Sequence, residues 1–387
     1  MKTFKIYTSF KDLPTHWEAA SAHDIFLQLN YFKALEASIP EHITCYYIGV
    51  FNTNKLIGIV LVQHVKLYLE DMFRKNTVSF FKSKFQSIIS KVLKGNILVV
   101  GNLMHTGQHG LYYQFNSITY KAFIDVVFNA LEALKMRVYK EQNKTIRIIM
   151  LKDFFSDDVA YNNTPLFLSK KLHQVTVQPN MVLDVKPNWL SMDNYINSLT
   201  KKYKSRYKRA KKKLGHINCK ELNLDAIKAN SRTLYKLYTN VSSHAKFNTF
   251  TLPEHHFYQL KQELGDGFKV LGYYLDDELV GFYTLILNKS VLETYFLGYN
   301  SAYQQAHQLY LNMLYSMLNF AIDNSFKQIV YARTAMEIKS SVGAKPKTMS
   351  IYLKHTNGFA NVILSQVFKF MNPSQNWQER HPFKDSL

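Results

Sequence analysis

Glu293 lies within the apolar stretch VLETYFLGY (291–299). A carboxylate costs free energy to bury there unless something compensates it. Held in a cleft, such a group is suited to taking a proton from an attacking amine. Strand alternation groups Glu293 with Tyr295 and Leu297 on one face, and Leu292, Thr294 and Phe296 on the other. Tyr295 then either protonates a leaving group or fills core space, as aromatic side chains commonly do. A second cluster follows the run QIVYARTA (328–335): Arg333, Glu337 and Lys339. Loops at strand ends are where α/β sheets place ligand contacts. Arg333 and Lys339 are candidates to hold a substrate phosphate or carboxylate, the alternative being a surface Arg333–Glu337 pair of little consequence. A third feature is charge. Between Lys201 and Lys213, nine of thirteen residues are Lys or Arg and none is acidic. A helix that is merely solvated usually interleaves Glu with Lys, so this run, with Lys204 and Arg206 inside it, is read as a docking face for an anion. His105 with His109, and His255 with His256, lack a third ligand at usable spacing, so no metal is expected.

The elements that must position these residues occur twice. YYIGVFNTNKLIGIVLV (46–62) and KVLGYYLDDELVGFYTL (269–285) superpose at an offset of 223, with Gly49 on Gly272 and Gly58 on Gly281. Each is an apolar run, a polar turn and a second apolar run, which is a hairpin pattern. After the first hairpin, a basic, Phe-rich stretch (70–94) reads as a helical insertion. GNILVVGNLM (95–104) reads as a strand and HTGQHG (105–110) as a loop. A helix capped by Ser117 runs to about Tyr139, with an apolar stripe of Phe123, Val127, Ala130, Leu131, Leu134 and Val138. TIRIIMLKDF (145–154) is a strand. After the second hairpin come the strand 291–299, a helix with Tyr303, Ala306, Tyr310, Met313, Met317 and Phe320 on one face, and the strand 328–335. The order is hairpin, strand, helix, strand in both copies, and it predicts an α/β mixed sheet flanked by helices. The copies are expected at 1–180 and 188–387, joined by a linker across Pro179–Trp189. The second opens with a single helix over 192–214, capped by Ser191 and Gly215.

The net charge of +20 on 387 residues points to an anionic partner, whether phosphate, nucleic acid or lipid surface. No apolar run is long enough for a bilayer span and the N-terminus does not read as a signal peptide. Two distant cysteines, Cys45 and Cys219, suit a reducing compartment, so a cytoplasmic location is expected.

Three stretches resemble the FemAB-like acyltransferases, in which two units of the GNAT superfamily stand in one chain. They are SLTKKYKSRYKRAKKKLG, YYLDDELVGFYTLILNKSVLETYFLGYN and YARTAMEIKSSVGAKPKTMSIYLKH; the ending ERHPFK is similar as well. The resemblance covers most of 10–385. It implies tandem GNAT-like folds and transfer of an acetyl or aminoacyl group to an amine, a cell-wall (peptidoglycan) precursor in the Fem branch. The donor it implies is acyl-CoA or aminoacyl-tRNA as co-substrate, with no tightly bound cofactor. Glu293 and Tyr295 become the implied catalytic pair. Gln304, Gln305 and His307, in GYNSAYQQAHQLY, fall where GNAT enzymes hold the pyrophosphate of CoA. The glycines usual there are missing, while Gly107 and Gly110 of the first copy lie several residues before their helix. Two other readings stand beside this one: a nucleic-acid-binding protein using the 192–214 helix, and a catalytically degenerate GNAT pair. Tyr203 and Tyr207 count against the former, because their stripe points them at the protein body.

Overall fold

The computed structural model describes residues 2–67, 95–243, 250–371 and 377–384. The insertion expected over 70–94 lies outside them. The chain divides into two compact units. The first combines Met1–Val177 with Lys246–Thr251 and Thr348–Ser374, and the second combines Gln178–Ala245, Leu252–Lys347 and Gln375–Leu387.

The strands in chain order are β1 (Lys2–Tyr7), β2 (Ile43–Asn52), β3 (Lys55–Leu67), β4 (Gly95–Val100), β5 (Leu111–Tyr113), β6 (Ile146–Phe155) and β7 (His173–Asp184). They continue as β8 (Asn218–Glu221), β9 (Phe268–Leu275), β10 (Glu278–Asn288), β11 (Val291–Tyr299), β12 (Gln328–Val330) and β13 (Lys345–His355). In the first unit the order is β1-β2-β3-β4-β6-β13, with β4 and β6 parallel and the other pairs antiparallel. In the second it is β8-β9-β10-β11-β12-β7, with β11 and β12 parallel and the rest antiparallel. The two topologies are therefore the same. In sequence, the sixth strand of the first unit follows all the other strands of both units, and the sixth strand of the second precedes its others. The first part of the expected linker, Pro179–Asp184, is accordingly the end of strand β7.

The duplication holds to single residues. Gly49 pairs with Ile59 and Gly272 with Phe282; Gly58 pairs with Val50 and Gly281 with Tyr273. Both hairpins carry a bulge just before the second glycine, at Ile57 and at Val280. A Cβ on Gly49 would meet Phe51 at 2.8 Å and Leu56 at 3.1 Å, and one on Gly272 would meet Leu279 at 2.8 Å and Tyr274 at 2.9 Å. These are equivalent neighbours at the same offset. Gly58 and Gly281 lie under helices: a Cβ would meet Phe123 at 2.5 Å and Met313 at 2.8 Å respectively. The glycines are therefore seats for packing, without a role in chemistry.

The two long helices, Tyr120–Gln142 and Leu309–Asp323, bury apolar side chains in the cores of their own units. The stripe expected from Phe123 to Val138 is buried on the helix Tyr120–Gln142, in the core of the first unit. That helix starts two residues later than expected. Thr119 caps it by accepting from the Ala122 amide, while the Ser117 hydroxyl bonds the Gln114 side chain. The single helix expected through Tyr303–Phe320 is broken. Ser301–His307 and Leu309–Asp323 are separated by Gln308 at φ 48°, and the Gln304 side chain accepts from the Tyr310 amide to cap the second piece. The helix expected over 192–214 is also two, Met192–Ser198 and Lys201–Leu214. It breaks because Leu199 bridges to Phe383 and the Thr200 amide donates to Pro382. The ERHPFK segment thus has a packing role: the Phe383 ring lies 5.5 Å from Trp189, and the Lys186 ammonium caps both rings. Ser191 and Gly215 occupy the expected end positions, the first in a capping box with Asn194.

Candidate active site in the second unit

The strand carrying Glu293 is irregular. β11 pairs regularly with β10 from Val291↔Asn288 to Thr294↔Leu285 and resumes at Leu297↔Tyr283. Tyr295 and Phe296 therefore stand opposite the single residue Thr284, which makes a β-bulge. Thr284 fixes it: its buried hydroxyl donates to the Phe296 carbonyl at 2.7 Å and accepts from the Phe296 amide at 3.0 Å. The bulge corrects the expected alternation. Leu297 and Tyr299 join Leu292 in packing against the core that holds the 309–323 helix. Phe296 instead meets Tyr238 of the helix Ser231–Ser242, with ring centroids 5.5 Å apart. Gly298 lies against the backbone of that helix at Leu237 and Tyr238, where no side chain would fit.

The parallel ladder between β11 and β12 stops at the same place. Its rungs are Val291↔Gln328, Leu292↔Ile329 and Glu293↔Val330, and β12 ends at Val330 while β11 runs on to Tyr299. The strand expected over 328–335 is thus three residues long. Glu293, 3% exposed, occupies the last rung before the strands part. Next along the strand, the Tyr295 hydroxyl shares a 3.0 Å hydrogen bond with Nε2 of His256, and the two rings stack at 5.8 Å. His256 is fully buried at the start of the helix His256–Leu264. A bulge, a buried carboxylate and a phenol–imidazole pair thus meet where two parallel strands diverge.

Beyond Val330 the chain takes a constrained path. Ala332, Thr334 and Ala335 have φ of 58°, 65° and 47°, and left-handed backbone at non-glycine residues costs roughly 1–3 kcal/mol each. Lys339, 4% exposed, holds the loop: its ammonium donates to the carbonyls of Ala332 at 3.2 Å and Arg333 at 2.6 Å. Burial pulls Lys339 down to about 7. The same cause pulls Arg333 down to about 10. Lys339 is therefore engaged with backbone and not presented to a ligand. Glu337 pairs with Arg380, accepting from Nε at 3.1 Å and also from Nη2, so its partner is a residue 43 positions away, in place of the Arg333 pair weighed as the alternative.

The remaining candidates divide. Gln304 caps a helix, and His307 donates from Nδ1 to the Lys213 carbonyl at 3.1 Å, tying the end of the basic helix. Gln305 is exposed. Lys204 donates to Asn197 at 3.2 Å. Arg206 lines a cavity of about 400 Å³ with Ala335, Met336, Glu337, Ile338, Trp377 and Arg380. Tyr203 is buried and Tyr207 packs edge-on against Tyr315 at 4.9 Å, so the basic helix turns its aromatics inward.

The first unit has its irregularity at the equivalent point. Val100 pairs with Val62 as Thr294 pairs with Leu285, and Tyr113 pairs with Gly58 as Tyr299 pairs with Gly281. Five steps separate Thr294 from Tyr299 and thirteen separate Val100 from Tyr113, eight more. The loop 101–110 is therefore an enlarged version of the bulge. It is filled from within. The His105 ring stacks on Phe26 at 3.9 Å, His109 bonds Asp24 at 2.7 Å, and the amide of Gly107 donates to Asp153 at 3.2 Å. Gly110 closes the neck by packing on the Gly101 backbone. Its glycines make a tight loop, and the Gly107 amide faces a carboxylate, so they form no phosphate cradle.

Residues 201–340 match the family model described as the acetyltransferase (GNAT) domain. No curated protein matches the sequence. Among solved structures, FemX is similar at 9% identity with a TM-score of 0.54, over 90% of this chain and 96% of that one. A tandem GNAT protein from the clavulanic acid biosynthesis pathway is similar at 8% identity with a TM-score of 0.52, over 92% of this chain and 99% of that one. The fold is accordingly that of tandem GNAT proteins, as the FemAB-like resemblance implied, and the match to the acetyltransferase model falls mainly in the second unit.

Proposed function

We propose that this protein is an N-acyltransferase whose chemistry takes place at the β11 bulge of the second unit. The observation that carries the reading is the coincidence of the bulge, the parting of β11 from β12 and the buried Glu293, all inside the segment matched as an acetyltransferase domain. Acyl transfer to an amine needs a base for the amine proton, donors for the developing oxyanion and a proton for the leaving group. Glu293 takes the amine proton. Since the amide and carbonyl of Phe296 both face Thr284, the neighbouring Leu297 amide faces the opposite edge, towards the gap, and supplies an oxyanion donor. Tyr295, oriented by His256, protonates the leaving group.

The donor bears phosphates, as acyl-CoA or as aminoacyl-tRNA. Two observations favour the RNA-borne form. Gln304 and His307 are committed to internal bonds, and Lys201, Lys202, Lys208, Arg209, Lys212 and Lys213 form an exposed basic face. The acceptor class carried by the resemblance is an amine of a cell-wall precursor. Incubating the protein with labelled acetyl-CoA and with charged tRNA, against a panel of amine acceptors, tests the reading. Transfer from one donor is expected; transfer from neither, under conditions in which the protein is folded, overturns it.

A further inference from the structure

The cavity beside the strained 332–335 loop matches no candidate site read from the sequence as a whole, although four of its seven lining residues come from that loop and the adjoining helix. Its wall combines two guanidinium groups, one carboxylate and an apolar floor of Met336, Ile338 and Trp377, around about 400 Å³. The Nε of Arg206 is buried and has no hydrogen-bond partner among the described residues. A buried donor without an acceptor is unfavourable, so this edge of the guanidinium is available to a ligand. Arg380 spends one edge on Glu337, which leaves the rest of its planar fork for another acceptor. Arginine pairs are suited to phosphate because the fork bonds two oxygens at once. A flat indole beside them suits a ring attached to that phosphate.

We propose that this cavity binds a nucleoside phosphate, with the phosphoryl group on Arg206 and Arg380 and the ring against Trp377. The identification of that group as part of the acyl donor rests on the function proposed above. The source is either the nucleotide of coenzyme A or the end of an RNA. Glu337 then acts as a gate on affinity: it occupies Arg380 when the site is empty and competes with the incoming phosphate.

Trp17 and Trp189 are 0% and 4% exposed, so Trp377 is the accessible reporter among the three tryptophans. Tryptophan fluorescence of the full chain is titrated with ADP, coenzyme A, a short single-stranded RNA and inorganic phosphate. Quenching that saturates with ADP is expected, and its absence in Trp377→Phe locates it. Arg206→Gln and Arg380→Gln weaken it about tenfold or more, on the scale of a lost charge-assisted bond. Glu337→Gln tightens it several-fold, a gain that damage to the fold does not produce. Tighter binding of coenzyme A or of the RNA names the source. Unchanged fluorescence up to millimolar ADP, equal quenching in Trp377→Phe, or wild-type affinity in Arg206→Gln overturns the site. Acyl transfer with wild-type KM for the donor in both arginine variants also overturns it, and leaves the transferase reading standing. Saturable binding here with no transfer from any donor does the reverse.

Discussion

The Lys339 ammonium is held by two carbonyls of a strained loop, with no counter-ion bonded to it among the described residues. Its pKa falls to about 7 on folding, whereas an unfolded lysine keeps its proton to about 10.4. Between those values the unfolded chain binds more protons, so stability rises with pH, by up to about 1.4 kcal/mol per unit. Below pH 7 both states are protonated and this contribution is flat. Lys339→Met removes the slope, and urea midpoints measured from pH 7 to 9.5 read it. Tyr295→Phe deletes the proton proposed for the leaving group and is expected to lower kcat about 10²-fold or more with little change in melting temperature. Equal kcat in that variant assigns Tyr295 to packing. Glu293 was legible in the sequence because a charged residue in an apolar strand is out of place, and Arg333 because it closes the last apolar run, where a strand-end loop was expected. Thr284 was not, because its bond to Phe296 exists only once β10 and β11 are paired with a bulge. His256 was noticed as half of an adjacent pair, but no spacing rule connects it to a residue 39 positions away. Arg380 was hidden for the same reason.

The elements obey local rules wherever tertiary contacts agree with them. The stripe from Phe123 to Val138 and the strand 291–299 were readable from periodicity alone. The two long helices expected on the same grounds broke at Leu199–Thr200 and Gln308, where a distant segment or a capping side chain supplies the bonds that the helix gives up. Periodicity cannot report that, because the stripe continues across the break. Thr284→Val removes both bonds to Phe296 and is expected to cost about 1–3 kcal/mol. It also loosens the bulge, so kcat falls more than stability alone accounts for; circular dichroism melts beside steady-state kinetics separate the two. The glycine seats differ in what lies above them. Phe123 is a packed ring, whereas Met313 meets Gly281 with the flexible end of its side chain. Gly58→Ala is therefore expected to cost about 1–3 kcal/mol and Gly281→Ala less, a ranking that chemical denaturation checks.

At the scale of the molecule, the doubled hairpin was the strongest signal in the sequence, and shared bulge positions bear it out. The origin of the sixth strands was invisible, because nothing within β7 or β13 states which sheet edge it will cover. Residues 1–180 expressed alone would lack β13 and leave the edge of β6 open. Such an edge invites association, so this fragment is expected to aggregate, as light scattering would show. No helix among the described residues is long and apolar enough to cross a membrane. Nine of the Lys and Arg residues fall in the second unit's entry helix, at the start of the segment matched to the acetyltransferase model. The most direct measurement is transfer of a labelled acyl group to an amine by the wild-type chain and by Glu293→Gln, with melting temperatures taken in parallel. If Glu293 takes the amine proton, the wild type turns over and the folded variant loses about 10²–10⁴-fold. Wild-type rates from folded Glu293→Gln would contradict it.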